Sequence, residues 1–223
     1  MQTLYLSNIS YLLLDMDGTL LDLHFDNYFW NQYLYRRFSE IHFFPIKEAK
    51  LYIQNALAKE HGTLNWYCTD YWSKKFNLNI IKLKKELSQL IQYRYGSLRF
   101  LQGLSKTPID VTIVTNAHPN VIKLKNTHTG LNNWVPDFIS SHQLGLPKEK
   151  PEFWELVTKN RILDLSRTMV IDDNICCLAA AKETGIAYQI SITQPDSKRK
   201  DQYTGEFQAI DDLSSLIVSE HFS

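Results

Sequence analysis

The sequence predicts an α/β fold in which a Rossmann-like, mostly parallel sheet carries an inserted all-helical segment. Two observations predict it. Short apolar runs that end in polar residues alternate with helical stretches along most of the chain, as they do in parallel sheets. Residues 22–95 differ, because their apolar residues recur at the spacing of helices and only Pro45 and Gly62 interrupt them.

Four apolar runs predict the strands. The first, residues 11–14, ends in Asp15-Met16-Asp17-Gly18, which suits a buried parallel strand whose carboxyl end opens into a turn. The others are residues 111–114 before Thr115-Asn116, residues 168–171 before Asp172-Asp173, and residues 187–192 before a loop that contains proline. Helices are predicted at 119 to about 125, 151–160 and 174–184, the last of which Gly185 closes.

Residues 22–95 are predicted to form an all-helical insertion, because their apolar side chains share helix faces. The faces are Phe25, Phe29 and Tyr33; Ile46, Ala49, Ile53 and Ala56; and Leu83, Leu87, Leu90 and Ile91. We therefore expect an α/β core formed by residues 1–21 plus 97–223 and a helical cap formed by residues 22–96. A ligand cleft is expected between them, over the carboxyl ends of the strands.

Composition argues against several classes of function. The 223-residue chain has 24 Lys plus Arg and 24 Asp plus Glu, so bulk charge favours neither nucleic acid nor an anionic membrane. No apolar run nears the roughly 18 residues that cross a bilayer, and no secretory signal pattern is present, which predicts a cytoplasmic protein. No obligate protein partner is evident. The three cysteines and seven histidines show neither a disulfide framework nor zinc-ligand spacing.

The zero net charge conceals an asymmetry along the chain. Residues 21–96 hold 11 basic and 7 acidic residues, whereas the remainder holds 13 basic and 17 acidic residues. The same segment contains 17 of the 28 aromatic residues. A mildly basic, aromatic cap over an acidic core suits a small anion that carries an aromatic base.

Polar residues that can carry chemistry follow the predicted strands, and parallel strands end at one edge of a sheet. These residues are Asp15, Asp17, Thr115, Asn116, Asp172 and Asp173. Two acidic clusters at one edge can hold a hard divalent cation, for which Mg²⁺ is the natural candidate. The hydroxyl of Thr115, the amide of Asn116 and the positive charge of Lys148 are suited to phosphate.

The pair Asp15 and Asp17 suits phosphoryl chemistry, because residues two apart on a strand point the same way. One carboxylate can attack phosphorus in line and form an aspartyl-phosphate. The other can protonate the leaving alcohol and later deprotonate the hydrolytic water. Gly18 then allows the backbone to turn away.

These residues also have alternative interpretations. A calcium loop of the EF-hand type is disfavoured, because its sixth and twelfth positions would be Leu20 and Asp26 instead of Gly and Glu. Taken alone, Asp172-Asp173 also suits a helix N-cap. Lys150 rivals Lys148 as the phosphate ligand. His118 is open between a phosphate contact, a catalytic role and a structural role.

The order Asp-x-Asp-Gly-Thr, Thr-Asn, Lys and Asp-Asp, with a helical segment after the first motif, resembles the haloacid dehalogenase-like hydrolase superfamily. The resemblance spans the whole chain. It implies that Asp15 is the nucleophile and Asp17 the general acid/base. Residues implied to hold the metal are Asp15, Asp17 through its main-chain carbonyl, and Asp172; those implied to hold phosphate are Thr115, Asn116 and Lys148. Dehalogenases of the superfamily lack the second carboxylate, so Asp17 argues for phosphate chemistry.

One departure from the superfamily pattern concerns the last motif. Many relatives place a further acidic residue four or five positions after its first Asp, where this chain has Cys176 and Cys177. The resemblance then implies that the adjacent Asp173 supplies the second carboxylate, either by binding the metal directly or by contacting a residue that binds it. Both cysteines are interpreted as small packing residues.

A more specific likeness lies in residues 12–30, residues 63–73, TNAHP at 115–119 and GLPKE at 145–149. These segments resemble the bacterial 5′-nucleotidases of the superfamily that act on GMP and IMP. The likeness implies a Mg²⁺-dependent enzyme with a small nucleotide substrate, whose base is contacted by Asn27 or Tyr28 and by Asn65 or Trp66. Three alternatives stay open: a phosphatase of phosphoglycolate or a sugar phosphate, a phosphotransferase or mutase, and a non-catalytic phosphate-binding module.

Overall fold

The computed structural model of the protein describes residues 6–217, and these contain a six-stranded sheet. Its strands are β1 (Tyr11–Leu14), β2 (Asp110–Thr115), β3 (Phe138–Ser140), β4 (Thr168–Asp172), β5 (Tyr188–Ile192) and β6 (Gln208–Ile210). They lie in the order β3-β2-β1-β4-β5-β6, and every neighbouring pair is parallel. The predicted α/β fold with a mostly parallel sheet is confirmed.

Strand β1 lies at the centre of the sheet because its side chains are apolar on both faces. Leu12 is opposite Val111 of β2 and Met169 of β4. Leu12 and Leu14 pack into one hydrophobic cluster, whereas Leu13 packs into a second cluster on the other face. Burial on both sides fixes the register of β1 and hence the position of the residues that follow it.

The helices follow the strands or lie between β1 and β2. They are α1 (His24–Tyr28), α2 (Leu34–His42), α3 (Ile46–Glu60), α4 (Leu64–Tyr67), α5 (Thr69–Phe76), α6 (Ile80–Lys85), α7 (Ser97–Leu104), α8 (Pro119–Thr129), α9 (Ser141–Leu144), α10 (Pro151–Arg161) and α11 (Ile175–Glu183). A π-helical turn, Phe29–Tyr33, joins α1 to α2. No helix of residues 6–217 is long and apolar enough to cross a bilayer.

The observed elements depart from the sequence prediction in several places, and helices α7 and α9 were not predicted. The three-residue strands β3 and β6 were not predicted, because so short a run gives little periodicity. Helix α8 continues four residues past Lys125 to Thr129, where Gly130 ends it in a left-handed conformation with φ of 63°. Asn174 is the N-cap of α11 and not its first residue; its side chain accepts the N–H of Cys176 at 2.9 Å.

Helices α1–α6, termed here the helical insertion, have a hydrophobic cluster separate from those of the sheet. Its largest fully buried side chains include Phe25, Phe29 and Trp72. The residues predicted to share apolar helix faces are buried or partly buried, except Ile46, which is 50% exposed. The chain enters and leaves the helical insertion at one place beside the sheet, where Leu21 forms a β-bridge with Tyr93. The exact division into two domains at residues 22–96 stays a prediction.

Candidate active site

Lys148 joins the ends of the two central strands. Its Nζ lies 2.5 Å from Asp15 Oδ1 and 2.6 Å from Asp172 Oδ2, and it donates to the carbonyl oxygen of Val114 at 3.0 Å. Asp15 directly follows β1 and Asp172 ends β4, so adjacent strands bring the two carboxylates together. Lys148 is 2% exposed, whereas Lys150 is exposed at the start of α10. The structure thus places Lys148, and not Lys150, among the carboxylates.

Three carboxylates form a cluster suited to a divalent cation. One oxygen of each of Asp15, Asp172 and Asp173 lies within 4.8 Å of the other two. Burial, opposed by Lys148 and reinforced by Asp172, raises the pKa of Asp15 to about 7. Burial and the charges of Asp15 and Asp172 raise the pKa of Asp173 well above its usual range. Lys148 pairs with Asp15 and Asp172, and no described residue forms an ion pair with Asp173, so the three acids together outnumber the positive charge that contacts them.

An orphaned oxygen in this cluster supports the fit to a cation. Asp15 Oδ2 is buried and has no hydrogen-bond partner among the described residues. A buried carboxylate oxygen without a partner is costly unless a ligand or ion completes it. The donors are all carboxylate oxygens, which Mg²⁺ prefers over nitrogen or sulfur. Asp15, Asp172 and Asp173 are therefore the side chains that could hold such an ion.

Gly18 makes room for Asp173 at the edge of the sheet. Its φ is +87°, in the left-handed region that favours glycine. A Cβ at this position would lie 2.6 Å from the carboxyl carbon of Asp173 and 2.6 Å from one of its oxygens. Glycine is therefore required here both by the turn and by the approach of Asp173.

Asp17 is held by Lys125, a residue that no sequence pattern indicated. The Nζ of Lys125 lies 2.5 Å from Asp17 Oδ1 and 2.5 Å from Asp26 Oδ2 of the helical insertion. Burial, opposed by Lys125 and reinforced by Asp26, raises the pKa of Asp17 to about 6. A carboxyl group with a pKa near neutrality can both give and take a proton. Lys125 therefore fixes the position of Asp17 and keeps its pKa from rising further.

A second buried lysine completes this network from the helical insertion. Lys84 Nζ lies 2.6 Å from Asp26 Oδ1 and 4.6 Å from the ring centre of Phe29. Burial alone would raise the pKa of Asp26, but Lys125 and Lys84 outweigh it and hold the pKa well below its usual range. Asp26 thus stays ionised and links two ammonium groups. Since Asp26 and Lys84 belong to the insertion, the geometry at Asp17 depends on its packing.

The predicted phosphate residues lie at the same edge. Thr115 ends β2, and its Oγ1 accepts the N–H of Ala117 at 3.0 Å. Asn116 accepts the N–H of Lys148 at 2.9 Å through Oδ1 and donates to Glu149 at 3.0 Å through Nδ2. The side chain of Asn116 therefore positions the loop that carries Lys148. Phosphate binding by Thr115, Asn116 and Lys148 stays a prediction.

Glu149 connects the helical insertion to the sheet edge and was also missed. It accepts the hydroxyl of Tyr67 and the amides of Asn116 and Asn174, the last at 3.2 Å. Burial, together with the charge of Glu149, raises the pKa of the Tyr67 hydroxyl, which therefore remains protonated. Both Tyr67 and Glu149 lie within segments that carry the sequence resemblance, and this was the available hint of their role.

The carboxylates face a cleft of about 330 Å³ between the strand ends and the helical insertion. Its wall on the insertion side includes Asn27, Trp30, Asn31, Leu57 and Trp66. The structure brings Asn27 and Trp66 to the cleft, but it does not bring Tyr28 and Asn65 there. Tyr28 packs against His24 and Tyr33, and Asn65 is exposed and donates to Glu60 at 3.1 Å.

His118 lies in the cleft wall beside Thr115 and Asn116. It also caps α8, since its Nδ1 accepts the N–H of Asn120 at 3.3 Å. Cys177 is buried and reaches the cleft, whereas Cys176 is exposed. The position that many relatives fill with an acidic residue is thus apolar here, and Asp173 supplies the third carboxylate.

Comparison with known proteins agrees with this geometry. A family model described as haloacid dehalogenase-like hydrolase matches residues 12–190. The chain belongs to this family. Among its relatives, the GMP/IMP nucleotidase YrfG of Escherichia coli (strain K12) is 35% identical over 212 residues, which cover 95% of this chain and 96% of the relative.

Solved structures of haloacid dehalogenase-like proteins share the fold. A HAD phosphatase from Thermococcus onnurineus superposes with a TM-score of 0.77 at 19% identity, covering 93% of this chain and 96% of that one. The HAD hydrolase YfnB from Bacillus subtilis, solved with magnesium bound, superposes with a TM-score of 0.64 at 18% identity, covering 93% and 96%. This protein is therefore a hydrolase with the haloacid dehalogenase-like fold.

Proposed function

We propose that the protein is a Mg²⁺-dependent phosphatase that hydrolyses purine nucleoside 5′-monophosphates, GMP and IMP, through an aspartyl-phosphate. The observation that carries this proposal is the pairing of Asp15 and Asp17 beneath a cleft that Trp30 and Trp66 line. Its substrate class is supported by the 35% identity to a GMP/IMP nucleotidase over 95% of the chain. The three free cysteines suit the cytoplasm, where thiols stay reduced.

The first half of the reaction uses both carboxylates. An oxygen of Asp15 attacks phosphorus, the O–P bond forms, and the bond from phosphorus to the nucleoside O5′ breaks. Asp17 donates its proton to O5′, so that the nucleoside leaves as a neutral alcohol. The raised pKa of Asp17, about 6, keeps part of the population protonated near neutrality. Lys148, between Asp15 and Asp172, offers positive charge to the phosphoryl oxygens.

The second half restores the enzyme. Asp17, now ionised, takes a proton from a water molecule as that water attacks phosphorus. The bond from phosphorus to Asp15 breaks, and inorganic phosphate leaves. When bound, Mg²⁺ neutralises the phosphate charge beside the nucleophile. The residues that would hold it are Asp15, Asp172 and Asp173, with the main-chain carbonyl of Asp17.

Selection of the base is assigned to the insertion side of the cleft. Trp30 and Trp66 offer ring faces for stacking, and Asn27 and Asn31 offer amides. GMP and IMP both present a 6-oxo group and an N1–H. The N–H of one side-chain amide can donate to the 6-oxo oxygen while the amide oxygen accepts the N1–H. AMP presents the opposite pattern, so an amide that is fixed for GMP leaves a polar group unpaired.

The intermediate provides the test of this mechanism. Wild-type protein is mixed with GMP and Mg²⁺, quenched in acid, digested and analysed by mass spectrometry. We expect phosphate on the peptide that contains Asp15, and no adduct in the Asp15→Asn variant. Phosphate release that continues at the wild-type rate in Asp15→Asn, or in the presence of a strong chelator, would overturn the mechanism.

A further inference from the structure

Outside the carboxylate cluster, one cysteine and two histidines meet where the helical insertion contacts the sheet edge. One donor atom of each of Cys68, His118 and His142 lies within 4.8 Å of the other two. Cys68 precedes α5 in the insertion, His118 precedes α8, and His142 lies in α9. Three distant parts of the chain therefore converge, although their spacing in the sequence shows no zinc-ligand pattern.

His142 has a ring nitrogen in this cluster that can bind a metal ion. Its Nε2 is buried and has no hydrogen-bond partner in the part of the chain that the structure describes. A buried ring nitrogen without a partner is costly unless a ligand or ion completes it. Burial and the nearby His118 lower the pKa of His142 to about 4, so the ring is neutral near pH 7.

His118 is placed to provide the second nitrogen. Its ring centre lies 4.8 Å from that of His142, and burial lowers its pKa. Its Nδ1 lies 3.0 Å from the hydroxyl oxygen of Thr69, and its Nε2 lies 3.6 Å from Asp70 Oδ2. With Nε2 on a metal, Nδ1 carries the proton and donates to Thr69, at the expense of the weaker contact from Asn120. The carboxylate of Asp70 adds favourable negative charge beside that nitrogen.

We propose that Cys68, His118 and His142 form a binding site for Zn²⁺ or a similar transition metal, separate from the carboxylate cluster. One sulfur and two nitrogen donors select such metals over Mg²⁺, which prefers oxygen. Zinc lies about 2.0–2.3 Å from such ligand atoms. Displacements of the three side-chain atoms on the order of 1 Å would bring all of them to bonding distance from one metal ion. Binding releases one proton from the thiol of Cys68, and three protein ligands leave one position for water.

The proposed site has a structural consequence. Cys68 belongs to the helical insertion, whereas His118 and His142 follow strands of the sheet. A bound metal would therefore tie the insertion to the sheet edge beside the cleft. The proposal does not depend on the phosphatase activity, because it concerns side chains that the proposed reaction does not use.

Cobalt provides the direct test, because a thiolate bound to Co²⁺ gives a charge-transfer absorption that carboxylate and imidazole ligands do not give. Co²⁺ is titrated into the protein with excess Mg²⁺ to occupy the carboxylates. We expect the absorption to saturate at one equivalent and to disappear in Cys68→Ser. Serine retains the N-cap function that Cys68 performs for α5, where its Sγ accepts the N–H of Tyr71 at 3.4 Å.

Matched controls come from the other two cysteines. Cys176→Ser and Cys177→Ser are expected to retain the absorption, which excludes the thiol near the carboxylates as its source. Competition with a chromophoric chelator then measures the Zn²⁺ dissociation constant, which is expected to rise at least about tenfold in Cys68→Ser and in His142→Gln. Circular dichroism confirms that both variants are folded. Absence of the absorption in the wild type, its persistence in Cys68→Ser, or unchanged Zn²⁺ affinity in both variants would overturn the proposal.

Discussion

The buried ammonium group of Lys125 lies 2.5 Å from Asp17 Oδ1 at the edge of the sheet. The same nitrogen lies 2.5 Å from Asp26 Oδ2, and Asp26 in turn binds Lys84 at 2.6 Å. The proposed acid/base carboxylate is therefore connected, through two lysines and an aspartate, to the interior of the helical insertion. Displacing any member of this network would disturb the position and the proton affinity of Asp17.

Replacing Lys125 with methionine is expected to lower kcat for GMP by at least about tenfold, with a smaller change in KM. A well-positioned general acid/base contributes about 10²–10⁴ in rate, and Asp17 loses the contact that orients it. Lys123→Met is the matched control, because Lys123 is exposed on the same helix. Steady-state kinetics of both variants check the prediction. Equal kcat values in the two variants would contradict it.

Folding of the Lys125→Met variant needs a separate check. Removing one partner of a buried ion pair costs about 3–5 kcal/mol, so its stability is measured first by denaturant unfolding. Lys125→Arg retains the charge and is expected to recover part of kcat. Loss of kcat in a folded Lys125→Met variant, with partial recovery in Lys125→Arg, separates positioning of Asp17 from a general loss of structure.

Gly18→Ala is expected to destabilise the protein and to weaken its response to Mg²⁺. Residues other than glycine lose about 1–2 kcal/mol in the left-handed region, and the new Cβ would also displace the carboxylate of Asp173. Gly62→Ala is a close control, because its φ is +77° but a Cβ there would meet nothing within 4 Å. Both variants should lose stability in denaturant unfolding, whereas only Gly18→Ala should require more Mg²⁺ for half-maximal activity. A normal Mg²⁺ requirement in Gly18→Ala would show that Asp173 does not contribute.

Tyr67→Phe is expected to lower kcat/KM for GMP by about tenfold. A hydrogen bond to a charged group contributes about 1.5 kcal/mol or more, and this one joins the helical insertion to Glu149 beside Lys148. Tyr71→Phe serves as the control, because the Tyr71 hydroxyl donates to Glu60 at 2.6 Å within the insertion. If the two variants have the same kcat/KM, the contact between the insertion and Glu149 has no role in turnover.

Mg²⁺ is expected to raise the melting temperature more at pH 8 than at pH 5.5. Burial raises the pKa of Asp15 to about 7, so the folded protein binds more protons than the unfolded chain between about pH 4 and 7. Without metal, stability contributed by Asp15 is therefore present at low pH and is lost as the pH rises through 7. Below pH 7 protons compete with Mg²⁺ for the carboxylates; above it they do not. Thermal unfolding with and without Mg²⁺ checks this, and an equal shift at both pH values would contradict it.

The position of the carboxylates could be predicted because strand β1 is apolar on both faces and ends abruptly. A buried parallel strand followed by Asp15, Asp17 and Gly18 fixes where those side chains lie, whatever the rest of the chain does. The same reasoning located Thr115 and Asp172 at the ends of β2 and β4. These placements depend on local pattern and on a general property of parallel sheets.

The lysine network could not be predicted in the same way. A lysine within a helix is usually solvated, and only contacts between distant segments show otherwise. Lys84 and Lys125 are 1% and 2% exposed because Asp26, which lies 58 and 99 residues away from them, pairs with both. The cluster of Cys68, His118 and His142 was hidden for the same reason. Its members approach one another only when the insertion packs against the sheet edge.

The central claim is that this cleft selects 6-oxo purine nucleotides, and kcat/KM tests it most directly. Phosphate release by the wild-type protein is measured in Mg²⁺ with GMP, IMP, AMP, phosphoglycolate and glucose 6-phosphate. We predict that kcat/KM for GMP and IMP exceeds that for AMP and for the two smaller phosphates by at least about tenfold. A panel in which AMP, phosphoglycolate or glucose 6-phosphate equals or exceeds GMP and IMP would contradict the claim.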